Sequence, residues 1–211
     1  MQNNQCGRSM IEMLGVLAIV GVLSVGGLSG YNQAMNQYRI NKTLTQITEI
    51  SSRLSVIGDQ TSSYAGLSNV SAIKMGVAPN ELISGNDLIN IYDGNVTIQN
   101  SNLTATDTEM AYVIQYTNLP QAACMTLATQ DWQNGRNSNL VGLGVGSGAD
   151  KLSDISSTLR LNCNGKDTNG EVVACTKNTG GATISLPLTP AQAIKGCSCT
   201  GNSCVFVMKL F

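Results

Sequence analysis

Between Met10 and Leu28 the chain reads MIEMLGVLAIVGVLSVGGL, and Glu12 is the only charged residue in that run. About 19 apolar residues wound into a helix at 1.5 Å per residue cross most of a bilayer's hydrocarbon core. A secretory signal would start basic, carry a shorter apolar stretch and be followed by a small-residue cleavage site. Residues 1–7, MQNNQCG, are instead polar and free of Lys and Arg, Arg8 is the first cation, and no obvious cleavage site follows the run. The segment therefore reads as a retained membrane helix over about residues 9–30. Glu12 is the anomaly within it. A carboxylate in the bilayer costs about 2–3 kcal/mol even on lenient insertion scales, although a position near a helix N-terminus is favoured by the helix dipole. Glu12 either snorkels at headgroup level or pairs with a positive group on a neighbouring copy.

Composition narrows the function classes. Lys+Arg is 12 and Asp+Glu is 13, a net charge of −1, so the basic surface that nucleic acid requires is absent. The chain has no histidine, which excludes Ser-His-Asp and Cys-His catalysis in their usual forms and the common His-based zinc sites. No cluster of carboxylates replaces them, so neither an enzyme nor a cofactor or metal protein is expected. Gly142, Gly144, Gly146 and Gly148 match no phosphate-binding pattern and read as a flexible surface loop. Asn69, Asn95 and Asn102 lie in N-x-S/T patterns that an Asn- and Thr-rich chain produces by chance.

Beyond Tyr31 the pattern turns amphipathic. Ile40, Leu44, Ile47, Ile50, Leu54 and Ile57 recur every three or four residues, the spacing of one buried helix face. One helix is thus expected from near Ser9 to Ile57, stopped by Gly58-Asp59. Glycines at 15, 21, 26, 27 and 30 suit close helix packing in a membrane or a soft point in the helix. After a loop over 58–69, short helices are expected at Val70–Met75, Asn80–Ile83, Pro120–Thr129 and Pro190–Lys195. A hairpin around Asp93-Gly94 is expected within Leu88–Ile98. Further strands are expected at Met110–Tyr116, Ile155–Leu161, Val172–Cys175, Thr183–Leu186 and Val205–Leu210. That order gives an α+β body.

Six of the seven cysteines, Cys124, Cys163, Cys175, Cys197, Cys199 and Cys204, lie beyond the membrane helix. An exported, oxidising setting favours disulfides; the six allow 15 pairings, and Cys163–Cys175 would close a small loop. A metal site is disfavoured, since Cys197-x-Cys199 is too close for a zinc knuckle.

Gly7-Arg8-Ser9-Met10-Ile11-Glu12, with an unbroken apolar run behind it, resembles the signature of type IV prepilins. The resemblance implies that a prepilin peptidase cuts between Gly7 and Arg8 and methylates the new amine. Residues 1–7 are then a leader, Cys6 is lost with it, and Glu12 becomes the fifth mature residue. The leader lacks the family's usual basic residues, and Arg8 stands where Phe, Met, Leu or Val is usual. Downstream, MGVAP, YDGNVTI, a strand ending in NLP, and AACMTLA are similar to the type IVb pilins, so the resemblance spans roughly residues 7–130. It implies a pilin fold: a helix over 8–57 packed on an antiparallel sheet, and a 58–211 globular domain with a disulfide-stapled C-terminal region. It also implies a bond from Cys124 to Cys197, Cys199 or Cys204. The function implied is a filament subunit for adhesion, aggregation or conjugation, with its own copies, the peptidase and inner-membrane assembly machinery as partners. The precursor would sit in the inner membrane and the product outside the cell. In the filament, Glu12 would attract the amine of Arg8 on an adjacent copy. A minor pilin, a secretion pseudopilin and a membrane-anchored monomeric adhesin are the alternatives.

Overall fold

The computed structural model describes residues 6–104, 106–107, 109–133, 139–176, 178–181 and 184–211. The chain divides into two compact units, Met1–Lys42 and Thr43–Phe211. The described residues of the first, 6–42, are all helix. Helix α1, Cys6–Thr61, is 56 residues long, so it starts ahead of the expected Ser9 and continues past Gly58. Its apolar part is bare: Ile11, Val22 and Val25 are 73–74% exposed, and nothing approaches the missing side chains of Gly15, Gly21, Gly26, Gly27 or Gly30.

In the second unit α1 buries Ile47, Ile50 and Leu54 completely. The helix stops at Ser62, whose φ of 55° is left-handed and whose N–H donates to Gly58 O at 2.8 Å, a closing turn that satisfies an end carbonyl. Gly58 thus sits within the last turn. Its absent side chain admits Tyr64, since a Cβ there would lie 2.0 Å from the Tyr64 hydroxyl. Tyr64 folds back and packs on Tyr112, with ring centroids 4.8 Å apart.

Among the described residues the sheet has nine strands. They are β1 Ile83–Ser84, β2 Asp87–Ile89, β3 Asn95–Ser101, β4 Ala111–Leu119, β5 Leu140–Ser147, β6 Cys163–Thr168, β7 Glu171–Cys175, β8 Asn178–Gly181 and β9 Cys204–Leu210, in the order β1-β2-β3-β4-β9-β5-β7-β6-β8. Neighbours are antiparallel throughout, except that β8 lies parallel to β6. The last strand, β9, is central and buried at every position. The expected hairpin exists as β2–β3, with Leu88 opposite Val96. Its loop is organised by buried Asn90, which accepts from Tyr92 N and Gly94 N and donates to Thr117 O at 2.8 Å.

The shorter helices are α2 Asn69–Lys74, α3 Gln121–Thr129, α4 Lys151–Thr158 and α5 Pro190–Gly196, with a 3-10 turn at Asn80–Leu82. Helices α1, α3 and α5 share one sheet face. Tyr112 donates to Ser51 O of α1, Trp132 after α3 packs on Phe206, and Gly196 of α5 sits against Val145 and Val172. The opposite face carries α4, with Ile155 and Leu159 packed among Val113, Val173, Val205 and Val207.

Three expectations are corrected. Residues 142–147 form strand β5, not a loop. The run beginning at Ile155 is helix to Thr158 and then turns, because Ile155 and Leu159, four apart, bury one side against the sheet. The strand expected over Thr183–Leu186 does not form at residues 184–186; Asn178–Gly181 provides the edge instead, and Thr183 lies outside the described residues.

Candidate functional site

The residues singled out at the N-terminus all belong to α1. Gly7, Arg8 and Glu12 share one helix, and Arg8 and Glu12, four apart, occupy adjacent turns about 6 Å apart along the axis. Glu12 is exposed. Around it Met10, Ile11, Met13 and Leu14 are 63–74% exposed, and the same condition persists through Leu28. The helix is long and apolar enough to cross a membrane, and the most apolar window of it buries none of its residues within the chain. So continuous an apolar surface is excluded from water only by lipid or by other apolar helices.

The second unit ties the lower half of α1 to the segment that follows it. Arg53 donates to Gly76 O at 2.7 Å and to Val77 O, and also pairs with Glu49 one turn earlier. Buried Gln46 donates to Glu81 at 3.1 Å. Asn69 bridges α2 to β3, donating to Val96 O and accepting from Ile98 N. Neither Gln46 nor Arg53 stands out in the sequence, and Asn69 reads there as a chance N-x-S/T pattern. Only the three-dimensional meeting of residues 20–35 positions apart shows their role. Tyr112 and Tyr116 are sealed in the same interface, and burial holds both phenols well above their ordinary pKa.

The six cysteines beyond the helix pair completely. Cys124 in α3 joins Cys197 at the end of α5 across 73 residues; Cys163 joins Cys175 between β6 and β7; Cys199 joins Cys204 at the entry to β9. Cys124, Cys197 and Cys204 also lie close enough to share a metal ion, but each sulfur is already spent in a disulfide, and a metal needs the thiolate. The first bond clamps α3 to α5 and the third fixes the start of the central strand. Ion pairs reinforce the same region: Lys195 of α5 reaches Asp167 of β6 at 2.8 Å, and Lys166 covers buried Glu171 at 2.7 Å.

Comparison with known proteins agrees with this geometry. The PilS N-terminal family model matches residues 37–187. The major structural subunit of bundle-forming pilus from Escherichia coli O127:H6 (strain E2348/69 / EPEC) is 22% identical over 207 residues, 96% of this chain and 94% of that protein. The subunit of the same name from Escherichia coli O111:H- is 23% identical over the same length. The crystal structure of TcpA, a type IV pilin from Vibrio cholerae El Tor biotype, superposes with a TM-score of 0.52 at 16% identity, covering 82% of this chain and 99% of that one. With its long apolar helix, antiparallel sheet and disulfide-stapled C-terminal region, the chain belongs to the PilS N-terminal family and has the fold of a type IV pilin.

Proposed function

We propose that the chain is a structural subunit of a type IVb-like pilus, polymerising through its N-terminal helix into a surface filament for adhesion, aggregation or conjugation. The observation that carries this is the join of two opposites in one chain: an apolar helix with no burial of its own, and a compact head closed by three disulfides. The apolar half of the helix needs a partner, and the partner of matching length and chemistry is the same half of another copy. A head-to-tail contact of this kind does not close, and repeats into a fibre.

The steps that lead there follow from the N-terminus. The precursor rests in the inner membrane by its apolar helix. A prepilin peptidase cuts between Gly7 and Arg8, which removes Cys6 and exposes an amine at Arg8. The inner-membrane machinery then passes the subunit to the growing filament, where Glu12 of an incoming copy is attracted to the amine of Arg8 on a copy already seated. Attraction of opposite charges grows as the surrounding dielectric falls, so the pair sets register most strongly inside the bilayer. The test is to shear surface filaments from producing cells and sequence the N-terminus of their subunit. Arg8 as first residue supports the reading; a chain found only as unsheared membrane protein beginning at Met1 overturns it.

A further inference from the structure

The sheet face that carries α4 also holds an open pocket of about 560 Å³. Its floor follows from register. Gln99 on β3 is opposite Val113 on β4, which is opposite Lys209 on β9, and Gln115 lies two residues along β4 on the same face. Ser153 and Ser156 of α4 form one wall, and Arg160 stands just past the end of that helix. The pocket belongs wholly to the Thr43–Phe211 unit, and every lining residue comes from one copy.

Two buried groups look into it. Lys209 is 2% exposed. It donates to Leu159 O at 2.6 Å, which leaves two of its three donors, and no ion pair holds it among the described residues. Arg160 is near enough to press on its charge, and the carboxylate whose field reaches it, Asp107, is already committed: both Asp107 oxygens accept from Leu103 and Thr104 at 2.6–2.8 Å. Gln115 is 7% exposed and lines the pocket floor beside Lys209. Burying a cation with no opposing charge is costly, and an anionic ligand in the pocket offsets that cost.

The lining defines that ligand. Two cations suit one carboxylate or sulfate. The amides and hydroxyls of Gln99, Gln115, Ser153 and Ser156 both donate and accept, as sugar hydroxyls do. Leu152 is the one apolar side chain in the lining, too little for a peptide side chain or a lipid tail. We propose that this pocket binds an acidic sugar, its anion held between Lys209 and Arg160 and its hydroxyls by the glutamines of the floor and the serines of α4.

The experiment titrates the full chain in detergent, by calorimetry, with N-acetylneuraminic acid, galactose 6-sulfate, neutral galactose and sodium sulfate. The expected result is saturable binding of one or both acidic sugars below about 10 mM, with galactose and free sulfate at least about tenfold weaker. Arg160→Gln is at the surface and Gln115→Ala removes an amide that lines the pocket. Each lowers acidic-sugar affinity by about tenfold and leaves the thermal midpoint close to that of the parent. Equal binding of galactose, or sulfate binding as tightly as the acidic sugars, overturns the proposal, as does no saturation by either acidic sugar or full affinity in Arg160→Gln.

Discussion

A Cβ placed on Gly144 would lie 2.3 Å from Cγ2 of Ile155. Strand β5 presents Gly142, Gly144 and Gly146 to α4 and Leu143 and Val145 to the other face, so a bare stripe on the strand receives the helix. Gly142 is as confined, with Ala174 O 2.4 Å from its absent side chain, and Gly146 less so, with Ile155 Cδ1 at 3.0 Å.

Gly144→Ala is therefore expected to overpack the contact and cost roughly 1–3 kcal/mol, and Ile155→Ala to leave a cavity and cost about 2–5 kcal/mol. The double variant should be more stable than the sum of the two by about 1 kcal/mol or more, because the smaller side chain makes room for the new methyl. Denaturant unfolding of all four proteins measures the coupling, and strict additivity would contradict the packing described.

Removal of the disulfides should follow loop length. The chain-entropy relation gives roughly 4 kcal/mol for Cys124–Cys197, 3 for Cys163–Cys175 and 2 for Cys199–Cys204, which close 73, 12 and 5 residues. Paired Cys→Ser variants should lose stability in that order. Alkylation of the native mature chain followed by mass spectrometry should label no cysteine.

Stability should peak on the alkaline side. Burial, with Arg160 nearby, pulls Lys209 down to about 8. Between about pH 8 and the ordinary lysine value near 10.4, the unfolded chain holds a proton that the folded chain has released, so stability rises with pH, by order 1–3 kcal/mol. Tyr64 acts in the opposite sense: burial, and Asp59, push it up to about 12. Above about pH 10 the unfolded phenol ionises while the folded one does not, and stability falls. Thermal midpoints from pH 7 to 11 should rise and then fall, and Lys209→Met should remove the rising limb.

Gly7→Val should block processing and leave a precursor that keeps Cys6. Immunoblots of membrane fractions separate the two lengths, and a mature-length chain in that variant would place the cut elsewhere.

Glu12→Val should insert into the membrane at least as well as the parent, since the cost of burying a carboxylate is gone. It should still be cut after Gly7, and should form few or no filaments when it is the sole copy. Glu12→Asp keeps the charge with a shorter reach and should fall between. Filament yield by shearing and electron microscopy decides; parental yield from Glu12→Val would make Glu12 a headgroup-level bystander.

The parts of this fold that can be read from sequence are those with a strong local period. The apolar run to Leu28 and the stripe through Ile47, Ile50 and Leu54 announce α1, and Asp93-Gly94 announces β2–β3. Strand β5 hides because glycine disfavours strands and favours loops in isolation; here each glycine is demanded by a helix that lies later in the chain. The helical period of α4 is equally faint, with Ile155 and Leu159 as its buried marks among serines. Gly7, Arg8 and Glu12 can be picked out in the sequence because the motif is a matter of spacing along one segment, and the cleavage and pairing assigned to them are proposals. The pocket at Lys209 is not, because its floor joins residues from three strands and its wall a fourth element, and no short window contains more than one of them.

The central position of β9 has a consequence for the order in which the head is completed. Strands β1 to β4 form one half of the sheet and β5 to β8 the other, and β9 alone bonds to both β4 and β5. Without residues 204–210 the two halves share no backbone pairing, and each keeps an open edge at the place where the finished domain is most tightly sealed. Closure is then a single event, the insertion of one strand as a keystone. In the export proposed above, the N-terminal anchor goes first, and the head becomes one body only when the far end of the chain has followed it.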